Sequence, residues 1–80
     1  MSKRSVAEQV AEELAPYLGP FNAKVAVKTF AGRAFENLPP ERLTLDHLPG
    51  LLEALRPMLN TLAGRAATDA VLARIQREVT

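Results

Sequence analysis

Eighty residues with a net charge of +1 and no cysteine make one domain, because a second would have too little chain to enclose a core, and they offer neither a disulfide framework nor a thiolate metal site. Residues 1–40 carry five basic and four acidic side chains and residues 41–80 five of each, so the long-range field that recruits nucleic acid or anionic membrane is missing. No run approaches the ~18 apolar residues of a membrane span, and basic Met1-Ser2-Lys3-Arg4 leads into a segment charged at Glu8, Glu12 and Glu13 rather than into the apolar stretch of a signal peptide, which makes a cytoplasmic location the expectation.

Residues 1–4 are expected to form a flexible start, followed by one helical domain over residues 5–80. Ser5 followed three residues later by Glu8 fits a capping box, in which the hydroxyl accepts from the Glu8 amide and the carboxylate reaches back. Val6, Val10, Leu14 and Tyr17 or Leu18 then share one helical face, with Glu8, Gln9, Glu12 and Glu13 outward. Pro16 cannot donate to the Glu12 carbonyl, and Gly19-Pro20 supplies a left-handed cap and a stop, so the first helix spans about residues 5–18.

The second segment opens near Pro20 to Asn22. Val25-Ala26-Val27 has the alternation of a strand, but Ala23, Val27, Phe30, Ala31 and Ala34 recur at helical spacing, which predicts a helix over residues 21–36. Gly32 weakens a helix interior by roughly 1 kcal/mol relative to alanine, which points to close packing or a weak point there. The proline pair in residues 37–43 ends the helix and makes the one substantial linker.

Thr44 is the expected N-cap of a third helix over residues 44–63. Leu45, Leu48, Leu52, Leu55, Leu59 and Leu62 advance by alternating steps of three and four, the strongest pattern in the chain. Pro49 offers an alternative start, Pro57 predicts a kink, and Gly64 a terminator. The last helix, residues 65–79, places Leu72, Ile75 and Val79 on one face, with Arg74 and Arg77 in its closing turns. The fold expected is therefore all-α, a compact bundle of four short helices.

Reactive chemistry is poorly supported. His47 is the single histidine, so a metal site built on it would need carboxylates or another subunit. Ser2 and Ser5 are the only serines, and both lie near the terminus. Glu12 and Glu13 stand about 100° apart around a helix and do not face each other as a carboxylate pair. No catalytic residue, metal or cofactor is assigned. Lys24, Lys28 and Arg33, joined by Lys3 and Arg4, offer a basic helix flank for phosphates and hence an alternative reading as a small nucleic-acid-binding accessory protein. Tyr17, Phe21, Phe30 and Phe35 read as core and hinge residues.

The width of the leucine face predicts self-association. Leu51 and Met58 widen the stripe formed by Leu48, Leu52, Leu55, Leu59 and Leu62 beyond what one small bundle covers, and these seven residues are the expected interface of a homodimer or a higher symmetric oligomer, with the dimer expected first.

Leu14-Ala15-Pro16-Tyr17-Leu18-Gly19-Pro20, followed by Ala23-Lys24-Val25 and Val27-Lys28, resembles a short helical segment found at the C-termini of bacterial signalling proteins. That segment reads approximately Leu-Ala-x-Tyr-Ile-Gly-Pro-Ile-Ala-x-x-Leu-Val-Lys and is attached to protein kinases, cyclases and response regulators. Phe21-Asn22 interrupts its usual Ile-Ala step. The resemblance implies a non-enzymatic protein–protein interaction or regulatory module in bacterial signalling or assembly.

Overall fold

The computed structural model describes residues 5–79; the flexible start expected at Met1–Arg4, with Lys3 and Arg4 of the basic flank, and Thr80 lie outside the described residues. Four helices, α1 (Val6–Leu18), α2 (Pro20–Ala34), α3 (Leu48–Ala63) and α4 (Arg65–Glu78), are joined by two glycines and one long linker that holds the 3₁₀ turns Pro40–Arg42 and Leu45–His47. Among the described residues there is no strand, and Val25-Ala26-Val27 is helical because the longer three- and four-residue period prevails over local β-propensity.

The helix starts and stops follow from backbone chemistry. At Ser5 the Glu8 N–H donates to the hydroxyl at 3.1 Å and the Ser5 N–H donates to the Glu8 carboxylate at 3.3 Å, so the capping box satisfies two otherwise orphaned donors. Gly19 and Gly64 adopt nearly the same conformation, φ 89°, ψ 151° and φ 86°, ψ 163°. This is the extended positive-φ region that is essentially closed to residues with a Cβ, rather than a left-handed helical cap. Each glycine ends one helix and starts the next: its N–H donates back, to Ala15 or Asn60, and its carbonyl accepts from Ala23 or Thr68. Pro20 is therefore not a stop but the first residue of α2, where its missing N–H costs nothing.

Two boundaries differ from the sequence reading by more than one residue. Helix α2 ends at Ala34, two residues early, because Glu36 (φ 49°) and Asn37 (φ 67°) take positive φ and the Asn37 N–H closes on the Gly32 carbonyl at 2.7 Å, a Schellman-type termination. Helix α3 begins at Leu48 rather than Thr44. Thr44 instead heads the 3₁₀ turn, where its N–H donates to Nδ1 of His47 at 3.1 Å, and Pro49 takes an early helical position that needs no donor. Pro16 and Pro57 both lie inside continuous helices.

The helices close a ring: α1 packs on α2, α2 on α3, α3 on α4 and α4 back on α1. Val10, Leu14, Val27, Leu51, Leu55, Leu59 and Ile75 fill the centre. Two ion pairs lace α4 to its neighbours, Arg74 to Glu13 of α1 and Arg56 of α3 to Asp69, each at 2.7 Å. The hydrogen bond that Arg56 donates to the Asp69 carboxylate raises the Arg56 pKa above its ordinary value. The linker is held by Phe35, whose ring meets the His47 ring edge-on at 4.7 Å. That ring also lies over Gly50, where an added Cβ would come within 2.8 Å of it. The close approach anticipated at Gly32 is thus found at Gly50; a Cβ on Gly32 would meet nothing nearer than 3.9 Å.

Candidate interaction groove

The leucine stripe is not the surplus surface it promised to be. Leu48, Leu51, Leu52, Leu55 and Leu59 are buried in the core of the single chain, so a dimer cannot form through them without opening the fold. The ring arrangement explains this: a helix flanked on both sides within a closed ring buries a wide face. Of the seven residues expected at the interface, only Met58, half-buried, and Leu62, 62% exposed, remain accessible.

The exposed apolar surface lies instead around α2. Phe21 is 77% exposed, Tyr17 46% and Val25 45%, which corrects the core part of the reading of Tyr17 and Phe21 as core and hinge residues. Helix α2 buries Ala23, Ala26, Val27 and Ala31, a face of small side chains that lets it approach its neighbours closely, and its larger side chains are displaced to the flank. Phe21 and Val25, four residues apart, share one outward face. Beside them, Tyr17, Leu18, Asn22, Val25, Ala26, Phe30, Met58 and Leu62 line a groove of about 400 Å³ between the end of α1, α2 and the second half of α3. No charged side chain lines it. Its one polar side-chain amide, on Asn22, donates to the Leu18 carbonyl at 3.1 Å and enters an apolar contact without leaving that donor orphaned. Arg33 stands at one end, its guanidinium 5.7 Å from the centre of the Phe30 ring, within the range of a cation–π contact.

A second groove, of about 600 Å³, runs along the opposite flank of α2 over a floor that includes Ala7, Ala11, Ala15 and Val27. Lys24 and Lys28 line it together with the carboxylates of Glu8, Glu12 and Glu41. The expected basic strip is thereby divided. Lys24 and Lys28 share their groove with three acids, and Arg33, nine residues beyond Lys24, projects about 180° away around the helix. These cations do not present one continuous surface to a phosphate backbone.

His47 and Asp46 occupy the 3₁₀ turn before α3. The Thr44 N–H donates to Nδ1 of His47, which commits that nitrogen as an acceptor and places the ring proton on Nε2, while the ring packs on Phe35. The geometry gives this histidine a role in bracing the linker. Among the described residues no three His, Cys, Asp or Glu side chains come together as metal ligands would, and no helix is long and apolar enough to cross a membrane.

Comparison of the chain with protein-family models, with curated proteins and with solved structures returns no match.

Proposed function

We propose that this chain is a non-enzymatic protein–protein interaction module, self-associating and acting in bacterial signalling or assembly in the cytoplasm, with the uncharged groove beside α2 as its working surface. The observation that carries the reading is the exposure of Tyr17, Val25 and Leu62 around a groove whose lining holds no charged side chain, with Phe21 exposed one turn before Val25. The largest exposed apolar patch on a monomer is often functional, and aromatic residues and methionine are the types enriched at protein interfaces. Nucleic-acid binding through Lys24, Lys28 and Arg33 gains no support from their divided placement.

Affinity capture from host extract tests the reading, with wild type, Phe21→Glu and Leu62→Glu as baits. Proteins retained by wild type at high salt and lost by both variants are the expected result. Retention that is nuclease-sensitive, salt-labile and indifferent to both substitutions refutes the proposal, because phosphate contacts weaken steeply with salt whereas apolar burial does not.

A further inference from the structure

We draw no further inference here: the strongest candidate, the groove between α1 and α2 that Pro40 and Glu41 border, with its alanine floor and its rims of Lys24, Lys28, Glu8 and Glu12, carries nothing, because its floor is a stripe of small residues, its rims are mixed surface charges, and nothing in the structure shows what covers it.

Discussion

Placing a methyl group on Gly50 separates a packing constraint from a helix preference. The added Cβ would lie 2.8 Å from Cζ and 3.2 Å from Cε1 of the Phe35 ring, closer than side-chain carbons approach. Overpacking of this kind costs about 1–3 kcal/mol. Against it stands the gain of alanine over glycine in a helix, up to about 1 kcal/mol. The net expectation for Gly50→Ala is a loss of about 1 kcal/mol, or about 4–8 °C in Tm for a domain of this size. Phe35→Ala removes the obstructing ring, and in that background the same substitution should stabilise by up to about 1 kcal/mol. The sign reverses, and the coupling between the two positions is about 2 kcal/mol, within the range for residues in contact. Urea unfolding of the four proteins, followed by far-ultraviolet circular dichroism, measures it. Equal effects of Gly50→Ala in both backgrounds would show that the Phe35 ring does not constrain this position.

Gly64→Ala should cost about 1–3 kcal/mol, since φ 86°, ψ 163° lies in a region that only glycine occupies without strain; thermal melting reads the loss. Glu36→Gly should raise stability by about 0.5–1 kcal/mol, because a residue with φ 49° pays the left-handed penalty that glycine avoids, and a higher urea midpoint at unchanged slope is the expected sign. Ser5→Ala removes the acceptor for the Glu8 N–H and should cost about 1 kcal/mol, with amide hydrogen exchange faster in the first turn of α1 and unaltered in α3.

The elements legible in the sequence were those fixed by local chemistry. The Ser5–Glu8 box, the helix breaks at Gly19 and Gly64, and the leucine seam each express a relation among residues close in the chain. Coverage is a different kind of quantity. Leu51 and Met58 stand seven residues apart and share a helical face, yet one is buried and the other half-buried, because the groove opens beside the second half of α3 and not beside the first. Periodicity states which side chains share a face; a neighbouring helix decides how far along its length that face is covered. The same reason hid Phe21, whose apolar character was read as core while the small side chains of α2 took the interior. A signal was present: Phe21 and Val25 follow a line around α2 different from that of Ala23, Val27 and Ala31, so the helix carries two apolar faces. The start of α3 was misplaced because Thr44 has the chemistry of a cap for either kind of helix, and only the His47 ring accepting its N–H shows which was built.

The two single-glycine joints bear on how quickly this chain finds its fold. With only Gly19 between α1 and α2 and only Gly64 between α3 and α4, many tertiary contacts in each half connect positions near each other along the chain, and ordering one helix places the next at its corner. Such local contact patterns belong to chains that fold in microseconds to milliseconds. The longest search left is the docking of the two halves across the segment from Phe35 to His47, so substitutions in the linker should slow folding more than those at Gly19 or Gly64, whose strain should appear mainly in the rate of unfolding.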